Sequence, residues 1–173
     1  MNNNPLVHSL KELCLFLDNA GIGYTLVGGL AVGIWAAPRA TLDIDFLVSF
    51  NREDFDVLSK LLLQSDKFIF IHDKPMIFKK VSLLRATLKN NPDISVDLLF
   101  ADDDFKRQAL ARSSAIIVSD FSVNIPTPED IVLLKLLSGR PQDKLDAENI
   151  LETQKEQLDQ DYIRRWSKKL QIK

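Results

Sequence analysis

The sequence predicts an α+β fold, a mixed β-sheet flanked by helices with a helical C-terminal part. Three observations predict it. Helix-like and strand-like segments alternate through the first 125 residues without a linker. From Thr127-Pro128 onward only helical patterns follow. The 173 residues are 46% apolar and 27% charged, which suits one globular unit with a buried core rather than a disordered chain. The expected organisation is a core over residues 1–125 and a helical part over 126–173 packed on it, a single domain overall.

The elements follow in order. Leu6, Leu10, Leu13, Leu15 and Leu17 form a broad apolar stripe with Lys11, Glu12 and Asp18 off it, and Gly21 closes this first helix. Tyr24 to Val27 reads as a short buried strand, and Leu30 to Ala37 as a helix opened by Gly28-Gly29 and ended by Pro38. Ile44 to Val48 is a second strand. Asn51 to Gln64 has a capping residue, early acids at Glu53 and Asp54, and leucines at 58, 61 and 62, which predict a helix. Lys67 to Ile71 is strand-like. Val81 to Leu88 and Ile94 to Phe100 flank the turn-forming NNPD and are expected to pair as a hairpin. Asp102 to Ala111 is helical, with its three aspartates as N-terminal capping groups, and Ala115 to Val118 and Phe121 to Ile125 are short strands. Thr127-Pro128-Glu129-Asp130 supplies a cap, a first-turn proline and acids for the next helix. The helical pattern then runs to the end with breaks near Gly139 and Asp159.

Composition narrows the function classes. The single cysteine, Cys14, rules out an internal disulfide framework and fits a reducing, cytoplasmic setting. The segment MNNNPLVHSLKELCLFLDNAG is amphipathic rather than secretory, and no membrane partner is expected. A net charge of −2 gives no global attraction for nucleic acid, and no DNA partner is expected. His8 and His72 lack a second histidine or cysteine at ligand spacing, which argues against zinc. Arg164, Arg165, Lys168, Lys169 and Lys173 read as a solvated helix face rather than an RNA-contacting patch.

The stretch VGGLAVGIWAAPRATLDIDFLV carries the chemistry. Residues two apart on a strand share a face, so Asp43 and Asp45 project together while Ile44, Phe46 and Val48 point into the core. Their Cα atoms stand roughly 6 to 7 Å apart, near enough for both to ligate one metal and one to bridge to a second. Two carboxylates so placed repel unless a cation sits between them. In ISVDLLF the apolar residues alternate to the core, leaving Asp97 on the other face. If that strand lies beside the first, the three acids converge, and an oxygen-only set suits Mg²⁺, with Mn²⁺ as a substitute. Gly28 and Gly29 end a strand and open a helix, offering backbone N–H groups and a clear path to a polyphosphate. Arg39, Thr41, Lys135 and Arg140 are candidates to hold phosphate oxygens or neutralise a pyrophosphate. No Rossmann fingerprint or P-loop is present.

Val27-Gly28-Gly29, a gap of thirteen residues, Asp43-Ile44-Asp45-Phe46 and a later Asp97 resemble the signature of the DNA polymerase beta-like nucleotidyltransferase superfamily. PRATLDIDFLV and TPEDIVLLKLLSGRPQDKLDAENIL are similar to the small bacterial group that includes the nucleotidyltransferase toxins of abortive-infection toxin–antitoxin systems. The resemblance implies a nucleotidyltransferase fold and an enzyme that transfers a nucleoside monophosphate from an NTP such as ATP to a hydroxyl of RNA or tRNA, a protein or a small molecule. It also implies a cognate antitoxin as a partner. Asp43 and Asp45 would bind two Mg²⁺ ions, Asp97 would complete the acid set and orient the nucleophile, and Lys135 and Asp143 would line the nucleotide pocket. The alternative is a non-catalytic module of the same fold with a regulatory or partner-binding role. Retention of all three acids favours the enzyme, because clustered carboxylates without a metal are only a cost.

Overall fold

Eight strands and seven helices make up the computed structural model, which describes residues 4–70 and 72–172. The expectations placed on residues 1–3, Ile71 and Lys173 lie outside the described residues. Helix α1 (Pro5–Asn19) is capped by the Asn4 side chain, which accepts from the Leu6 N–H, and its buried stripe is Leu10, Leu13, Cys14 and Leu17. Strand β1 (Tyr24–Val27) is buried throughout and runs straight into helix α2 (Gly28–Trp35). Strand β2 (Asp43–Val48) follows, then a 3-10 turn at Arg52–Asp54 and helix α3 (Phe55–Gln64). Strands β3 (Phe68–Phe70), β4 (Met76–Phe78), β5 (Val81–Leu88) and β6 (Asn91–Phe100) lead to helix α4 (Asp104–Ala111). A separate ribbon of β7 (Ser114–Val118) and β8 (Phe121–Ile125) precedes helices α5 (Pro128–Ser138), α6 (Pro141–Thr153) and α7 (Gln160–Leu170).

The main sheet has the order β1-β2-β6-β5-β3, with β4 paired to β5. Every pairing in it is antiparallel except β2 with β6, which are parallel. That one parallel pair sits at the centre of the sheet and needs the long α3 to β5 excursion as its crossover. Ile44, Phe46, Val96, Leu98 and Phe100 fill the core side and are essentially inaccessible to water. The alternation read from DIDFLV and ISVDLLF therefore holds in space. No described helix is long and apolar enough to cross a membrane.

Local differences from the sequence reading have local causes. The β5–β6 turn is Lys89-Asn90, and β6 starts at Asn91, so the last three residues of NNPD belong to the strand. A register shift between Thr87 and Leu88 lets Leu88 pair with Asn91, and the Asn91 side chain donates to Ser9 Oγ. Helix α2 stops at Trp35, two residues before Ala37, because Ala36 is extended and Trp35 is tied down on both sides. Its indole N–H donates to the Pro126 carbonyl, and its own carbonyl accepts from Gln154. Strand β4 spans only three residues after Pro75, too few to show an alternation, and escapes sequence reading. Asp103 alone caps α4, accepting from the Lys106 N–H, whereas Asp102 bonds the Lys106 ammonium and Ser82.

The C-terminal helices are joined to the rest by a buried polar cluster. Asp130 is fully buried in the first turn of α5. It accepts from Arg112 (3.0 Å), Thr127 (3.0 Å) and the Tyr162 hydroxyl (2.6 Å). Arg112 also lies over the Tyr162 ring at 4.1 Å. The cationic face of α7 is spread over its own aromatics, with Arg165 above Tyr162 and Lys169 above Trp166. His8 and His72 are exposed. Tyr162→Phe is expected to destabilise the protein by about 1–3 kcal/mol, since it removes one hydrogen bond from a buried carboxylate. Denaturant unfolding monitored by circular dichroism measures the change.

Candidate functional site

The parallel register places Asp43 opposite Ser95 and Asp45 opposite Asp97. Asp45 and Asp97 are therefore cross-strand neighbours on one face, with Asp43 one pleat away from Asp45 on the same strand. The three acids singled out in the sequence are brought to the end of β2 and the middle of β6. Asp43 is exposed, Asp45 half-buried and Asp97 buried. Burial pushes the Asp45 carboxyl up to about 7, with the negative charges of Asp97 and Asp43 adding to the shift and Lys135 and Arg140 opposing it.

Asp97 has a partner that sequence reading did not supply. Arg85 stands opposite it on β5. The guanidinium donates through Nε to Oδ1 (2.6 Å) and through Nη2 to Oδ2 (2.5 Å), so both carboxylate oxygens are engaged. Among the described residues no group of three His, Cys, Asp or Glu side chains is gathered closely enough to hold a metal as it stands. Asp43 and Asp45, with free oxygens and a like-charge conflict, fit a hard divalent cation, and Asp97 joins them only if Arg85 gives way.

The glycine pair lies against this site. Gly28 has φ +68°, and a Cβ there would fall 1.8 Å from Asp45 Oδ2. Glycine is required twice over, by the left-handed backbone and by the close approach of the carboxylate. The first turn of α2 has no side-chain cap, since Val27 precedes it, so its N–H groups remain available to an anion. A Cβ on Gly29 would meet the Arg39 guanidinium at 3.0 Å.

Lys135, Asp143 and Arg39 converge through a residue missed in the sequence, Asp146. Lys135 Nζ donates to Asp143 Oδ1 and Asp146 Oδ2, both at 2.8 Å. Arg39 grips Asp146 in a fork, at 3.0 and 3.1 Å. Arg140 donates to Asp143 at 2.6 Å, and Gln142 to Asp146 at 3.1 Å. Burial works against the charges of Asp143 and Asp146, but these donors outweigh it and hold both carboxyls below the usual range. The signal available in the sequence was the i, i+3 spacing of Asp143 and Asp146, which puts both on one helix face. Thr41 is half-buried at the entry to β2, two residues before Asp43. Its hydroxyl accepts from the Asp43 N–H at 3.1 Å and braces the entry to β2.

The raised Asp45 sets a pH dependence. Its ordinary value is 3.8 and its folded value about 7, so between these the native state binds more protons than the unfolded chain. Stability from this group therefore falls as pH rises from about 4 to about 7, and is level above. Asp45→Asn is expected to be more stable than the wild type at pH 8 in the absence of metal, with the difference vanishing near pH 4. Thermal melts in chelator across pH 4–9 measure it.

No family model matches the chain, and no curated protein matches it. Solved structures do. An antigenic nucleotidyltransferase-like protein from Paracoccidioides brasiliensis superposes with a TM-score of 0.61 at 17% identity, covering 99% of this chain and 94% of that one. The antibiotic-resistance factor ANT(2'')-Ia gives 0.57 at 13% identity, over 92% of this chain and 89% of its own. The lincosamide antibiotic adenylyltransferase LnuA, bound to lincomycin, gives 0.53 at 15% identity, over 86% and 98%. At these identities the likeness concerns backbone architecture: the chain has the nucleotidyltransferase fold.

Proposed function

We propose that the protein is a divalent-metal-dependent nucleotidyltransferase that moves a nucleoside monophosphate from an NTP, such as ATP, to a hydroxyl acceptor. One observation carries the reading: the β2–β6 register sets Asp45 across from Asp97 while the uncapped start of α2 presses on the same Asp45. The charge balance agrees with it. With Asp45 ionised, Asp43, Asp45 and Asp97 against Arg85 leave two negative charges, the amount one divalent cation neutralises. Arg39, Lys135 and Arg140 against Asp143 and Asp146 leave one positive charge, suited to a polyphosphate.

In this reading Asp43 and Asp45 would hold the Mg²⁺ ions, two in number, with Mn²⁺ able to replace them. Held by these residues, such an ion would supply charge neutralisation and lower the proton affinity of the attacking hydroxyl. The N–H groups at Gly28 and Gly29 take phosphate oxygens. Lys135 and Arg140, fixed by Asp143, face the leaving pyrophosphate, and Arg39 closes the cluster through Asp146. Attack in line at the α-phosphorus forms the new P–O bond as the bond to the β-phosphate breaks. Asp97, on its separate strand, aligns the acceptor hydroxyl and receives its proton. Residues 1–125 form the catalytic core in this account, and residues 126–173 complete the nucleotide side.

The acceptor is an RNA such as tRNA, a protein side chain or a small molecule. A toxin role opposed by a cognate antitoxin, in the cytoplasm, is the setting that goes with the first two. Each labelled NTP is incubated with Mg²⁺ and, separately, total RNA, cell protein, aminoglycosides and lincosamides. Label is expected in one acceptor class. Asp43→Asn and Asp45→Asn are expected to lower transfer about 100-fold or more, the scale of losing one charge-stabilising group at a transition state. No label in any class with either metal, together with no thermal response to metal and nucleotide, would leave the non-catalytic module as the correct reading.

A further inference from the structure

Among the described residues Arg85 is the one cation within the strands of the main sheet, and register fixes it on the acid face opposite Asp97. It comes from the middle of β5, where its neighbours Leu84 and Ala86 are fully buried on the other face. Its fork on Asp97 uses both carboxylate oxygens at 2.5 and 2.6 Å. The negative charges of Asp97, Asp43 and Asp45 all hold the guanidinium firmly in its charged form. The Arg85 side chain is 32% exposed while that of Asp97 is 7% exposed, so the arginine, not the aspartate, has a route to solvent.

We propose that Arg85 is a positioning residue that occupies Asp97 in the nucleotide-free protein and keeps it out of the metal-binding set. This rests on the reading of the acids as a metal site. A divalent ion arriving alone meets only Asp43 and Asp45, and the third acid stays with its guanidinium. Release of Arg85 toward solvent frees Asp97 to join the two acids as a third oxygen ligand, next to the acceptor hydroxyl it aligns. The pair also offsets part of the like-charge repulsion across β2–β6 while no metal is bound. A bidentate guanidinium achieves this, whereas a lysine ammonium at the same position bonds one oxygen at a time.

The test is a double-mutant cycle read by Mn²⁺ binding, followed by electron paramagnetic resonance of the free ion, without nucleotide. Arg85→Gln is expected to bind Mn²⁺ about tenfold tighter than the wild type, and Arg85→Lys to fall between them. In the Asp97→Asn background the same Arg85→Gln change is expected to gain no more than about threefold, the share owed to removing a nearby positive charge. Equal gains in both backgrounds, or no gain in either, overturn the proposal. Arg85→Lys keeps the test decisive if Arg85→Gln fails to fold. A parallel titration of the wild type with ATP separates the two levels: Mn²⁺ binding there with equal gains above overturns the role of Arg85 alone, and its absence overturns the metal site itself.

Discussion

Repulsion between carboxylates across the β2–β6 pair is the constraint on which the rest of the site depends. A parallel pairing fixed by the burial of Ile44, Phe46, Val96 and Leu98 on one face leaves no choice for the other: Asp45 must stand beside Asp97, and Asp43 a pleat away. A slip of one residue would turn the acids into the core, so hydrophobic patterning enforces an electrostatically unfavourable arrangement. The protein relieves it in two ways. Arg85 neutralises Asp97, and Asp45 retains its proton up to about pH 7. Both devices suit a site that becomes charged when a cation arrives.

The second cluster has the opposite character. Asp143 and Asp146 are almost wholly buried yet fully ionised, because Lys135, Arg39 and Arg140 surround them. The cluster joins α5 and α6 to the loop that leads from α2 into β2, so the C-terminal helices and the acid strand are tied through charge as well as packing. Removing one member would leave an uncompensated buried charge, so its geometry is held rigidly. Gly28 completes the link: its missing side chain is what allows the α2 N-terminus and Asp45 to touch.

Much of this was legible in the sequence, and the reasons are specific. Alternation through Asp43-Ile44-Asp45-Phe46 and Ile94-Ser95-Val96-Asp97-Leu98 gave the faces of both strands, and Thr127-Pro128 and Gly139-Arg140-Pro141 marked the helix boundaries that the structure shows. Asp97 was found because it breaks an otherwise apolar alternation. Arg85 breaks one too, in VSLLRATL, but its meaning depends on which strand lies beside it, and strand order is not a local property. Asp146 was missed because a charged residue on a helix is normally solvated, and only the approach of Arg39 from a distant loop buries it. The brace that Thr41 gives to the Asp43 N–H depends on the turn into β2 and uses only its oxygen, so its hydroxyl hydrogen is still there to donate.

On the proposed reading the acid face stays partly protonated until a cation arrives. Calorimetric titration of the protein with preformed magnesium–ATP, in buffers of different ionisation enthalpy, counts the protons exchanged on binding. With Asp45 near 7, release of about three-quarters of a proton is expected at pH 6.5, almost none at pH 8.5, and none at either pH in Asp45→Asn. Binding with no proton release at pH 6.5, or with equal release from the Asp45→Asn protein, would contradict it.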